Sequence, residues 1–249
     1  MIASHELAGT SAGGWLSGIG HGAAPVKTAP TLVYVHDPMC SWCWAFRPAW
    51  DALRARLPPE VGIRRLLGGL APDTDAPMPL ELRERIQGYW RRIQAQVPGT
   101  EFNYAFWERC TPRRATHAAC RAVIAARRQD PAQEEPMCLA IQRAYYQEAR
   151  NPSEEETLVD LAARIGLDPG RIAADLDAPD VQAELQAEMG QAAALGVWGF
   201  PSLILIAGDA PASAAGAASA IGRAAAVPRQ IRIDYRDPEA MLRDIAAPP

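Results

Sequence analysis

The sequence predicts an α/β fold in which a β-α-β unit and a later β-β-α unit are separated by a large all-helical insertion. Three observations carry this. Two apolar runs rich in β-branched residues flank a helical stretch between residues 31 and 67. Residues 71–195 then read as helices without strand character. Strand character returns at Ser202–Ala207 and Ile231–Tyr235, ahead of a closing helix.

The elements follow in order. Thr31–His36 (TLVYVH) reads as a buried strand, broken by Asp37-Pro38. From Cys40 to about Leu57 the pattern is helical, and Pro58-Pro59 ends it. Val61–Leu67 is a second strand, closed by Gly68-Gly69; a strand-helix-strand unit of this kind is parallel with a right-handed crossover. The insertion offers helices at Leu80–Gln96, Pro112–Arg128, Pro131–Arg150, Ser153–Ile165, Pro169–Leu176 and Pro179–Leu195. Ser153 with Glu156 has the spacing of a capping box, and Gly166 is placed to stop that helix. The small-residue run 208–230 can bury little and reads as a loop. Asp237–Ile245 reads as a final helix with Pro238 in its first turn. This order matches a thioredoxin-like core. Residues 31–70 and 196–249 would form it, 71–195 would form the helical insertion, and 1–30 would be a disordered leader.

Composition narrows the function. Hydrophobic residues make up 49% of 249, enough for a sizeable core. A net charge of −4 gives no electrostatic reason to expect nucleic acid or an anionic membrane as partner. No stretch approaches the roughly 18 apolar residues that span a bilayer. The first twenty residues lack the cationic start of a secretory signal, so a cytoplasmic location is expected. The 5 cysteines comprise one close pair, Cys40 and Cys43, and three scattered thiols, Cys110, Cys120 and Cys138. In a reducing compartment a close pair points to redox chemistry or metal rather than a structural staple.

The pair lies in Asp37-Pro-Met-Cys40-Ser-Trp-Cys43-Trp44, where the first strand hands over to the first helix. A thiolate at a helix N-terminus faces unpaired backbone N–H groups and the positive end of the macrodipole. Both favour the anion that attacks a disulfide. Cys40 would form a mixed disulfide, and Cys43, one helical turn on, would resolve it. Two blander readings compete. Half a zinc site needs a second ligand pair, and Cys110, His117, Cys120 and Cys138 lack that spacing; no metal is expected. Two inert core cysteines would also fit the types, but not the strand-to-helix placement.

The second motif is Gly196-Val-Trp-Gly-Phe-Pro201, just before a strand. There Pro201 opens the strand in either isomer, cis in a constrained turn or trans in a plain loop. Around these motifs, His36 could help deprotonate a thiol or be a strand end without a proton role. Asp37 fits the ordering of the turn before Pro38. Trp42, between the cysteines, suits an exposed recognition role, whereas Trp44 suits core burial. Arg113 could line a cleft, or with Arg114 belong to a solvated helix face. Cys110 and Cys120, ten positions apart, fit spare thiols better than a second redox pair.

Four motifs in order, DPMCSWCW, Gly68–Thr74 (GGLAPDT), Pro112–Val123 (PRRATHAACRAV) and Gly196–Leu203 (GVWGFPSL), resemble the DsbA-like predicted protein-disulfide isomerases, including the FrnE-type proteins. That group is more distantly related to 2-hydroxychromene-2-carboxylate isomerase and kappa-class glutathione transferase. The resemblance implies dithiol–disulfide exchange, with Cys40 the exposed nucleophile and Cys43 the buried resolving thiol. It implies that Pro201 is a cis-proline, that Phe200 before it touches bound substrate, and that Pro112–Val123 overhangs the active site. The 208–230 run departs from the family, whose last two strands are joined by a short turn.

The expected function is therefore thiol–disulfide oxidoreductase and protein-disulfide isomerase. Its partners would be protein or small-molecule thiols and disulfides. It would need no cofactor beyond the redox-active disulfide, with glutathione possible as co-substrate. A glutathione-dependent isomerase or transferase, which needs no second sulfur, and a non-catalytic thioredoxin-fold adaptor are the alternatives.

Overall fold

The computed structural model describes residues 29–207 and 227–247. The leader expected at 1–30 and the loop expected at 208–230 lie mostly outside them. A four-stranded mixed sheet in the order β2-β1-β3-β4 forms the centre. Strand β1 (Thr31–His36) pairs parallel with β2 (Gly62–Leu67) and antiparallel with β3 (Ser202–Ile206); β3 pairs antiparallel with β4 (Arg229–Ile231). This is the expected thioredoxin-like core.

Period-two alternation along β1 explains how it sits in the middle. Leu32 and Tyr34 face one layer, with Phe46, Trp50 and Leu53 of helix α1 (Ser41–Arg54) and Met241 and Ile245 of the final helix. Val33 and Val35 face the other, with Leu66, Ala192 and Val197. The strand is thus covered on both faces, as parallel pairing requires.

The insertion contains α2 (Leu80–Gln96), α3 (Phe106–Arg109), α4 (His117–Gln129), a short 3₁₀ turn (Pro131–Gln133), α5 (Glu134–Tyr146), α6 (Glu155–Arg164), α7 (Pro169–Leu176) and α8 (Pro179–Ala194). The chain closes with α9 (Pro238–Ala246). Trp90, Phe102, Phe106, Trp107, Tyr145 and Tyr146 form an aromatic centre for the insertion. Met39, Ala45 and Leu67 join the same cluster, so the insertion's core reaches the cysteine turn.

Several local expectations are corrected. The helix expected from Pro112 starts at His117, because residues before it extend: Pro112 O accepts from Met78 N, and Pro77 and Arg113 form a β-bridge. The Ser153–Glu156 capping box does not form. Ser153 Oγ donates instead to Ala115 O, tying α6 to the loop before α4, and the helix starts at Glu155. Gly166 does end that helix, at φ +86°, with Leu167 N reaching back to Ala162 O. Strand β4 lies earlier than Ile231–Tyr235. Pairing with β3 stops at Ile231, and Tyr235 turns in against Phe46 and Trp42.

Candidate active site at the start of the first helix

Cys40 is the N-cap residue of α1, in extended conformation, and its carbonyl accepts from Trp44 N at 3.0 Å. Its side chain makes no capping bond, so the sulfur lies at the helix end beside amides without helical partners. Cys43 is one turn inside. Cys43 is fully buried and Cys40 is 6% exposed. The exposed Cys40 that the resemblance implies is corrected: both cysteines are buried, Cys40 slightly less so, with the Phe200 carbonyl against its sulfur at 3.5 Å. Burial, with the hydrogen bond to Cys40 next, pushes the Cys43 thiol well above the ordinary range. All five cysteines are free thiols.

The Phe200–Pro201 peptide bond is cis. It brings the Phe200 carbonyl to Cys40 while the phenyl ring lies over Gly68 at the end of β2. A Cβ on Gly68 would overlap that ring, so any side chain here would have to displace it. Gly69, at φ +59°, turns the chain away beside Met189 and His117.

Asp37 is fully buried below this turn. Its Oδ1 accepts from Met39 N at 2.8 Å, and its backbone oxygen accepts from Cys40 N at 3.1 Å. Its Oδ2 accepts from Leu70 N at 2.8 Å, Thr116 Oγ1 at 2.7 Å and Cys120 Sγ at 3.5 Å. Burial raises its carboxyl above the ordinary value against the pull of those donors. Asp37 thus orders the turn, and it also binds the insertion to it. The sequence reading missed Thr116 and Cys120 as parts of the site, although both lie in the motif at Pro112–Val123.

The other sequence candidates divide. Trp42 is half-buried, 5.3 Å from Tyr235, rather than exposed between the cysteines. Trp44 is half-buried, stacks on Tyr146 and donates to Glu101 O at 3.0 Å. The exposed aromatic of the cis-proline loop is Trp198, 86% accessible between Gly196 and Gly199.

His36 is corrected outright. It is buried, stacks on Tyr34 and lies with Nδ1 3.9 Å from Cys138 Sγ. Burial pushes its pKa down to about 4, so it sits as a neutral, buried ring. Arg113 is also corrected. It donates to Ser153 O and pairs with Glu154 at 3.0 Å and Asp75 at 3.5 Å. The cleft it lines, about 350 Å³, is bordered by Asp73, Asp75, Arg121 and Glu154, not by either active-site cysteine. Cys110 Sγ donates to Ala149 O and Cys120 Sγ to Asp37 Oδ2, and both are free thiols. Among the described residues no group of three or more His, Cys, Asp or Glu side chains could hold a metal ion, and no helix is long and apolar enough to cross a membrane.

Residues 31–221 match the model of the DSBA-like thioredoxin domain. The chain belongs to that family. Among solved structures, it is similar to a candidate protein disulfide isomerase from Nitrosomonas europaea, at 26% identity and a TM-score of 0.69, covering 87% of this chain and 96% of that one. It is also similar to the cytosolic disulfide reductase DsbM from Pseudomonas aeruginosa, at 28% identity and a TM-score of 0.59, over 70% of this chain and 83% of that one. DsbM has been solved with GSH as well. No curated protein matches the sequence significantly. The match covers β1 to β3, the α1 cysteine pair and the helices between β2 and β3, and ends before β4.

Proposed function

We propose that this DsbA-like protein is a thiol–disulfide oxidoreductase working by dithiol–disulfide exchange at Cys40-Ser-Trp-Cys43. The observation that carries it is the placement of the pair: Cys40 at the N-cap of α1 and more open, Cys43 one turn in and sealed, with the Phe200–Pro201 carbonyl edge against the first sulfur. Cys40, as thiolate, attacks one sulfur of a substrate disulfide and releases the other as a thiolate that takes a proton. Cys43 then gives up its proton and attacks Cys40, freeing the second substrate thiol and leaving a Cys40–Cys43 disulfide. Two electrons and two protons pass from the protein dithiol to the substrate. Phe200 and Pro201 present backbone to the chain bound at Cys40.

Protein and small-molecule disulfides are the substrates in this reading, with glutathione as the co-substrate that resets the pair. The glutathione complex of DsbM supports that choice, and its cytosolic setting supports a cytoplasmic one here. Isomerisation of protein disulfides uses the same mixed disulfide. Neither metal nor organic cofactor, nucleic acid nor membrane takes part. Residues 31–70 and 196–249 supply the reacting groups, and 71–195 supply the surface around them.

The test is equilibration in glutathione redox buffers, followed by Trp fluorescence and thiol counting, with Cys40→Ser as control. A reversible two-electron transition lost in the variant is expected. Undiminished exchange in Cys40→Ser, or no transition in the wild type, overturns the reading. Full turnover of a small electrophile by Cys43→Ser would favour the single-thiol isomerase or transferase instead.

A further inference from the structure

Asp37 is a buried carboxylate whose contacts are all neutral. Among the described residues, its hydrogen-bond partners are Met39 N, Leu70 N, Thr116 Oγ1 and Cys120 Sγ, and no arginine or lysine pairs with it. The donors come from three separate pieces: the cysteine turn, the end of β2 and the start of α4. Thr116 is itself fixed. Its backbone N–H donates to Ala71 O at 3.0 Å, and its hydroxyl accepts from Ala71 N at 3.1 Å. Its single hydroxyl proton has two acceptors in reach, Asp37 Oδ2 at 2.7 Å and Ala71 O at 3.4 Å, and the carboxylate is the nearer. Thr116 is also the N-cap residue of α4, where the helix end favours an anion.

The titratable groups around this carboxylate are thiols and phenols. Burial is the main cause that raises Cys43 from α1, Cys120 from α4, and Cys138, Tyr145 and Tyr146 from α5; the Asp37 charge adds to the rise at each, while at Cys43 a hydrogen bond from the Asp37 backbone pulls the other way. His117, beside Thr116, faces Gly69 O at 3.4 Å. A strong oxidant of this chemistry holds its reduced form by stabilising a thiolate. A negative charge near the pair does the opposite: it disfavours the thiolate and tilts the couple toward the disulfide.

We propose that Asp37 stays ionised beneath the cysteine pair, that Thr116 reaching from the helical insertion is the positioning residue that keeps it so, and that their joint effect makes the couple a reductant of substrate disulfides. This rests on the exchange reading above and adds its direction. Electrons flow from the Cys40–Cys43 dithiol to the substrate disulfide, and glutathione returns them. Asp37 is unchanged over the cycle. The insertion thereby contributes to the chemistry through one hydroxyl.

The test is the midpoint of the Cys40–Cys43 couple in glutathione buffers from about pH 6 to 8, the range of ordinary imidazole titration. It compares wild type, Asp37→Asn, Thr116→Val and Thr116→Ser. Asp37→Asn should shift the equilibrium about tenfold toward the dithiol, about 30 mV upward for a two-electron couple. Thr116→Val should shift it the same way by about threefold, most strongly at the acid end, because a carboxyl without its shortest donor takes a proton sooner. Thr116→Ser should restore wild-type behaviour. A folded Asp37→Asn with a wild-type or lower midpoint overturns the proposal. If Asp37→Asn does not fold, a Thr116→Val midpoint that tracks wild type at every pH overturns it. Absence of any transition in the wild type would instead strike the exchange reading itself, before a variant is made.

Discussion

Two buried carboxylates grip the end of β2, and they are handled in opposite ways. Glu188 of α8 accepts from Leu67 N at 2.7 Å, and its other oxygen pairs with Arg127. Arg127 also meets Glu134 and Glu184, Glu134 meets Arg65, and Arg65 and Arg47 meet Glu135. Three residues further on, Asp37 accepts from Leu70 N at 2.8 Å with neutral donors alone. Burial pushes both carboxyls upward. The difference lies in what surrounds them. Where each charge meets an opposite one, the field largely cancels and the network holds secondary structure together. Where a charge is met by N–H, O–H and S–H dipoles, it is tolerated but its field is not cancelled, which is the basis of the role proposed for Asp37.

Three variants sharpen this contrast, the largest expected effect first. His36 lies beside the balanced network, which does not rescue its charged form, so it is neutral with a pKa of about 4. As pH falls below about 6.5, the unfolded chain takes the proton first and stability drops. The drop saturates near pH 4, when the folded ring is protonated too, and amounts to about 3 kcal/mol. His36→Phe should remove that part of the acid loss, read as urea midpoints at pH 7 and near pH 4. Equal acid loss in both proteins would contradict it. Second, Glu188→Ala leaves Leu67 N without its acceptor and should cost about 2 kcal/mol of unfolding free energy. It should leave the redox midpoint of the surviving folded protein unchanged; a moved midpoint would erase the distinction from Asp37. Third, Arg113→Ala removes partly exposed ion pairs and should cost under about 1 kcal/mol in thermal unfolding. The rate of thiol exchange should not change, whereas a substrate-binding arginine would show a raised KM.

Much of the frame was legible because its signals are local. TLVYVH alternates along one strand, Leu80–Gln96 and Pro169–Leu176 carry complete helical periods, and both helices run over the expected residues. The cysteine pair at a strand-to-helix junction and a proline at the start of a strand are equally short-range patterns. What escaped depends on distant partners. β4 ends at Ile231 because register with Leu203 decides it, although IRIDY alternates beyond. Ser153 had the spacing of a cap but found Ala115 O closer to hand. His36 and Trp42 looked available because sequence gives proximity to Cys40 along the chain and says nothing of the Tyr34 and Tyr235 rings against them. Thr116 was visible within a motif, but its reach to Asp37 spans 79 positions.

The low exposure of Cys40 has a kinetic meaning for the proposed exchange. A sulfur partly covered by a backbone carbonyl reacts at a rate set by presentation as much as by nucleophilicity. A disulfide in a pliable loop or a small molecule can enter edge-on and align its S–S axis with the attacking sulfur. Under the proposed exchange, the cover over Cys40 favours disulfides that can be brought past the Phe200 carbonyl to the sulfur.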